Sequence, residues 1–221
     1  IFSRELRFRD EEGRAFPEWE EVALGEVFEF ISTNSLSRKH LNYERGEVKN
    51  IHYGDIHSKY QSNFFVEDEE VPYITDPGNY RSIREESFCR EGDLVIADAS
   101  EDHADIGKSI EIIELDEYPL VAGLHTILVR DTGNRTVLGF KGYIMQSWPM
   151  RHQMMRVATG ISVLGLSKTN LGKIKFWLPC LEEQRKIVRL LQGLDRKIYL
   201  SNHQLAELRE FKKGLLQGMF V

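Results

Sequence analysis

Leu181-Glu182-Glu183-Gln184-Arg185-Lys186-Ile187-Val188-Arg189-Leu190-Leu191 opens a stretch that runs to Met219 without a proline, its only glycines the isolated Gly193, Gly214 and Gly218. Within it Ile187, Leu191, Leu194, Ile198, Leu205, Leu208 and Leu215 fall on alternating four- and three-residue steps, and Ser201 and Lys212 fill the two gaps. That spacing is a heptad seam sustained over about four heptads. Glu182 and Glu183 stand where carboxylates suit the positive end of a helix dipole. At about 1.5 Å per residue the helix would reach roughly 60 Å. A domain of this size cannot cover it, so the seam predicts a helix that needs a partner helix. The other reading of these residues is a core helix of about 15–20 residues followed by a frayed tail.

Upstream of this helix the period changes. Ile174-Lys175-Phe176-Trp177-Leu178 alternates as a strand does and ends at Pro179. Val137, Leu138, Phe140, Tyr143, Ile144 and Trp148 repeat at helical intervals, and Pro149 breaks or restarts that helix. Before residue 135 the signals are mainly those of strands. Trp19-Glu20-Glu21-Val22-Ala23-Leu24 alternates into Gly25, Gly92-Asp93 launches the apolar run Leu94-Val95-Ile96-Ala97, and Ile110–Ile113 and Thr126–Val129 are β-branched runs. The expected fold is α+β: a lead-in over 1–13, a strand-rich domain over 14–179, and a long coiled-coil-forming helix over 180–221.

Composition narrows the class. With 221 residues, 41% hydrophobic and 29% charged, the chain can bury a core without staples. No apolar run approaches the roughly 20 residues that span a bilayer, and the first residues lack the plan of a secretory signal. Without an initiator Met, the chain reads as a piece of something longer. Cys89 and Cys180 show no pairing logic, which fits a reducing cytoplasm. The net charge of −6 hides a gradient. Residues 1–129 hold 13 Lys/Arg against 29 Asp/Glu, whereas 130–175 hold eight cations against Asp131 alone. An acidic body with a basic segment could present one face to phosphates; scattered solvated side chains would give the same count.

Catalytic signatures are sparse. The sequence holds no Gly-x-Ser-x-Gly elbow, no Gly-x-x-x-x-Gly-Lys-Ser/Thr loop and no Gly-x-Gly-x-x-Gly. His52 and His57 are five apart, not at the helical spacing of a zinc pair. Glu47-Val48-Lys49 resembles the Glu-x-Lys arm of a metal-dependent nuclease, a tripeptide common by chance. A binding module is the reading that remains. His52, Tyr53, Asp55, His57 and Lys59 crowd donors, acceptors and a ring onto an expected turn, as side chains that read base edges do. Gly160, Ser162, Lys168 and Thr169 could hold phosphates from the basic segment. A solvated loop would look the same.

The order of several motifs resembles one half of a type I restriction–modification specificity subunit. The matching pieces are Trp19-Glu20 through Leu24-Gly25-Glu26-Val27, then Gly92–Ala97 with Ile106-Gly107. Leu171-Gly172-Lys173-Ile174 into Leu178-Pro179 follows, then Leu181–Ile187, Leu194-Asp195 and Gly214–Phe220. The resemblance implies a non-catalytic target recognition domain that reads one half of a split site on double-stranded DNA. It also implies a spacer helix that docks methyltransferase subunits and, through them, the restriction subunit. S-adenosylmethionine, Mg²⁺ and ATP would belong to those partners, leaving this chain no cofactor of its own. His52, Tyr53, Asp55 and His57 are then expected near DNA, with Asn34, Ser35 and Arg38 from an earlier loop. His103 and Lys108 would join them from the loop after the middle strand, and Lys168 would hold a phosphate. The chain reads as an excised C-terminal half, its first residues ending a preceding helix, or as a natural half-subunit whose helices pair into a homodimer. A metal-dependent nuclease with its own recognition domain and a pure assembly module are the rival classes.

Overall fold

The computed structural model describes residues 1–218; Met219 and Phe220, which close the last matching motif, and Val221 lie outside the described residues. Strand β1 (Glu20–Ala23) runs into the one-turn helix α1 (Leu24–Val27) and then β2 (Glu29–Ile31). Strands β3 (Leu41–Asn42) and β4 (Lys49–Ile51) lead to helix α2 (Tyr53–Ser58) and β5 (Asn63–Phe65). After β6 (Tyr73–Ile74) come β7 (Leu94–Ala97), β8 (Ala99–Ser100), β9 (Ser109–Glu114), β10 (Leu120–Ala122) and β11 (Thr126–Arg130). Helices α3 (Phe140–Gln146) and α4 (Trp148–Val157), strand β12 (Leu164–Gly165), helix α5 (Lys168–Gly172) and strand β13 (Lys175–Leu178) complete the body. The long helix α6 (Leu181–Gly218) follows. The architecture is α+β, as the sequence predicts.

A five-stranded sheet in the order β2-β11-β7-β9-β5 divides the body. Its apolar strands are buried on both faces, so alternate residues feed two cores. Leu94, Ile96, Ile127 and Val129 pack with Phe140, Met145, Met154 and Ile187 from the helices. Val95, Ala97, Ile110, Ile112 and Leu128 pack with Phe64, Ile51 and Ile56 on the other side. There the four-stranded sheet β10-β4-β6-β3 closes the domain, with a small third core of Val48, Ile74 and Val121. Strand β13 pairs with β1 antiparallel, tying the end of the body to its beginning.

The helical period across residues 137–148 resolves into two helices. Pro149 sits in the first turn of α4, where its missing N–H takes no intrahelical bond from the ladder. A buried ion pair fixes α3 to the central sheet. The Glu111 carboxylate, from β9, lies 2.8 Å from Lys141 Nζ and accepts from the backbone N–H of Gly139 at 2.9 Å and Gly142 at 2.7 Å. Gly142 is held to glycine by the backbone, because a Cβ there would lie 2.8 Å from the Ser62 carbonyl oxygen.

Residues 1–13 differ from the expected helix end. They form turns and a bridge from Arg9 to Ala15. Ile1, Phe2 and Phe8 are half-buried against the core. Arg7 meets the first turn of α6. The Glu183 carboxylate, fully buried, accepts from Arg7 Nη2 at 3.0 Å, Phe8 N at 3.2 Å and Trp19 Nε1 at 2.8 Å. Gln184 beside it accepts from Val137 N at 2.9 Å and donates to the carbonyls of Arg135 at 2.9 Å and Pro179 at 2.8 Å.

The helix seam divides in two, which corrects the expectation that all of it meets a partner helix. Ile187 is fully buried and Leu191 half-buried, both in the body's own core, because the first turns of α6 lie against α3. Asp195 still accepts from Tyr143 Oη at 2.6 Å, and beyond it the helix leaves the body. Leu194 is 45% exposed, Ile198 59%, Leu205 46% and Leu208 63%. Among the described residues no helix is long and apolar enough to cross a membrane.

Candidate nucleic-acid interface

His52 begins the site. The expected turn at 52–55 is instead the start of α2, with His52 as its N-cap: Nδ1 accepts from Gly54 N at 3.1 Å. Arg38 Nη2 also approaches Nδ1, at 3.2 Å. Two donors at Nδ1 leave the ring proton on Nε2, the neutral form. Burial pushes the His52 pKa down, and the nearby Arg38 charge adds to the effect.

Arg38 arrives from a single 3₁₀ turn, Arg38–His40. It clasps Asp55 in a fork, Nη1 to Oδ2 at 2.9 Å and Nη2 to Oδ1 at 2.9 Å. Asp55 is 1% exposed, so its role is to aim the half-exposed Arg38 rather than to meet solvent. The bond to Asp55 holds the guanidinium pKa above its usual value. Asn34 is likewise engaged inward. Its Nδ2 donates to Asn50 Oδ1 at 2.8 Å and to the Ala122 carbonyl at 2.9 Å, while its Oδ1 accepts from Leu36 N.

Tyr53 is the hub of an aromatic cluster. Its ring lies 4.8 Å from His52, 6.1 Å from His57 and 5.2 Å from His125. His57 donates from Nε2 to the Ala99 carbonyl at 2.9 Å, and Lys108 Nζ donates to the His57 carbonyl at 3.0 Å. Strand β12 pairs with β8. That pairing sets the 160–163 tip, with Gly160 and Ser162 exposed, beside the exposed loop that carries His103. Gly160 has a φ of +133°, and a Cβ there would lie 2.0 Å from the Val163 carbonyl oxygen. Ser35 is exposed at the near edge. Lys168 donates to the Ile31 carbonyl at 3.0 Å, which leaves two of its three N–H groups available.

Two residues of this face escape sequence reasoning. His125 adopts a left-handed φ of 56° between β10 and β11, exposes about half its ring, and lies 3.5 Å from Asp98. Burial raises the Asp98 pKa, and His125 and Lys168 moderate the rise. Gly123 marks a turn there, but nothing in the sequence pairs it with α2.

The nuclease arm does not assemble. Lys49 is paired with Asp116 and the exposed Glu47 with Tyr80, in separate networks. Among the described residues no group of three His, Cys, Asp or Glu side chains could hold a metal ion.

The family profile of the type I restriction modification DNA specificity domain matches residues 17–210. A Methanocaldococcus jannaschii protein assigned as the type I restriction enzyme MjaX specificity subunit is 26% identical over 227 residues, covering 100% of this chain and 50% of its own length. The MjaVIII specificity subunit of the same organism is 30% identical over 80 residues, 36% of this chain and 19% of that protein. Among solved structures, the S subunit from M. genitalium superposes with a TM-score of 0.56 at 10% identity, over 88% of this chain and 42% of that one. The HsdS subunit from Thermoanaerobacter tengcongensis gives 0.54 at 17%, over 88% and 42%. At such identities the structural likeness is one of fold, and the chain spans half the length of its first relative or less. The match over 17–210 decides the family: the chain belongs to the type I restriction modification DNA specificity domain family.

Proposed function

We propose that this chain reads one half of a bipartite duplex site and brings type I methyltransferase subunits, and through them the restriction subunit, to that site. It performs no covalent step; S-adenosylmethionine, Mg²⁺ and ATP belong to the partners, and the complex works in the cytoplasm. The observation that carries this reading is the face built from α2, the 33–38 loop, the 98–108 loop, His125 and Lys168. It mixes rings, donors and cations on a rigid two-sheet support. Base edges are read by such mixed groups, and phosphates by cations. The nuclease alternative has little support, since Glu47 and Lys49 are engaged separately. An assembly-only role would leave this face without a purpose.

Two substitutions separate base reading from phosphate holding. Tyr53→Ala in the assembled complex is expected to cost about 0.5–1.5 kcal/mol of discrimination at one position of one half-site. Lys168→Ala is expected to weaken binding evenly across sequences and to lower the salt slope by about one. Binding to a randomised duplex library at several salt concentrations measures both. A Lys168→Ala complex with altered sequence preference and an unaltered salt slope would contradict the assignment.

A further inference from the structure

Sharing His57 and Lys108 with the recognition face, between α2, the start of β9 and helices α3 and α4, lies a cavity of about 310 Å³. Its wall includes the cations Lys59, Lys108 and Arg151, with His57, Ser109 and Gln146, and no carboxylate. Lys59 and Lys108 each keep a carboxylate nearby outside the wall, Asp55 at 3.6 Å and Asp105 at 2.9 Å. Arg151 has no such partner within 4.0 Å among the described residues. It donates to the Ala104 carbonyl at 2.7 Å and approaches Met154 Sδ at 3.7 Å, and burial pulls its pKa down. Its half-buried charge is thus offset only in part, by Asp105, which lies beyond ion-pair distance.

Two further polar atoms of the wall residues, His57 Nδ1 and Ser109 Oγ, are buried without a hydrogen-bond partner. Ser109 is only 6% exposed. Buried polar atoms without partners are uncommon and costly. A guanidinium with spare donors, an ammonium and a hydroxyl around one cavity match a tetrahedral anion. The volume is at the small end of ligand pockets, enough for a phosphate group and too small for a large organic ligand.

We infer that this cavity seats a backbone phosphate of the bound duplex, with Arg151 and Lys108 as the charged contacts and Ser109 as a hydroxyl donor. The inference rests on the DNA-reading function proposed above and adds a site to it. Lys108 and His57 belong to both the face and the cavity, and Arg151 ties down the loop that carries His103. A phosphate held here would fix the register of the face on the duplex without reading a base.

The test is duplex binding by the assembled parent complex, as a function of salt, for wild type, Arg151→Met and Lys108→Met. Melting curves check that each variant is folded, and Lys108→Met serves if the loss of Arg151 loosens the 101–105 loop. Each variant is expected to bind every duplex roughly tenfold more weakly. The slope of log K against log salt should fall by about one, with the preferred site unchanged. Wild-type binding with affinity and slope unaltered in both variants would overturn the inference and leave the DNA-reading function standing. A wild-type complex that binds no duplex would overturn both. In a parallel arm, inorganic phosphate is titrated against the same three proteins. If it raises the melting temperature of wild type alone while the duplex slopes stay equal, the cavity takes a free anion and the backbone assignment is wrong.

Discussion

Glu111→Ala is expected to destabilise the recognition domain by about 3–5 kcal/mol, which approaches the whole stability of many domains. The carboxylate is fully buried beside Lys141, whose side chain is 4% exposed, so its removal leaves an ammonium in the core with no counter-charge. The change also frees the N–H groups of Gly139 and Gly142, which have no water to turn to. A paired control separates charge from packing. Glu111→Leu with Lys141→Met removes both charges at similar volume and is expected to recover the part of the loss due to the unpaired ammonium, while the two freed N–H groups still cost. Urea midpoints at constant m-value measure the series. A Glu111→Ala protein with an unchanged midpoint would mean that the pair contributes nothing to stability.

Replacing Leu194 and Ile198 together with Asp is expected to abolish helix pairing while leaving the recognition domain folded. Both side chains are exposed and lie outside the body's core, so the domain does not depend on them. Exposed seam residues are costly in water, at roughly 25 cal/mol for each Å² left uncovered. In a longer parent protein a second spacer helix would cover them, and in a chain of this length a second copy would. Ser201 in mid-seam would weaken such a pair locally and help to choose its register. Sedimentation over a concentration range tests this. Wild type should dimerise and the double variant should not, and a wild type that stays monomeric at high concentration would contradict the pairing. Ile187→Asp should behave differently, unfolding the body around it, because that seam position belongs to the body's own core.

The contrast between Ile187 and Leu194 shows where sequence reading succeeds. The seven-residue period predicts α6, since helical spacing is local and nothing interrupts it. It does not show where the helix leaves the domain, because one apolar residue looks alike against its own core or a partner's. The buried strands were legible for a related reason: Leu94–Ala97 and Thr126–Val129 are β-branched or apolar at every position, as two-faced burial requires. The site was half legible. His52, Tyr53, Asp55 and His57 do gather on one element, but Gly54 made a helix start look like a turn. Asp55 looked like a base reader because its partner Arg38 is 17 residues away in sequence. His125 and Arg151 gave no local signal. Their neighbours come from distant strands and loops, and only the folded sheet brings them together.

Methylation mapping in cells that express the parent complex tests the central claim most directly. Wild type is compared with a Tyr53→Ala, His125→Ala double variant, which alters the face without removing the Arg38–Asp55 clasp. The account predicts a bipartite modified site in which one half loses discrimination at one or two positions, while the other half and the gap between them stay fixed. An identical bipartite site in both strains, with both proteins folded and assembled, would show that this face does not read DNA.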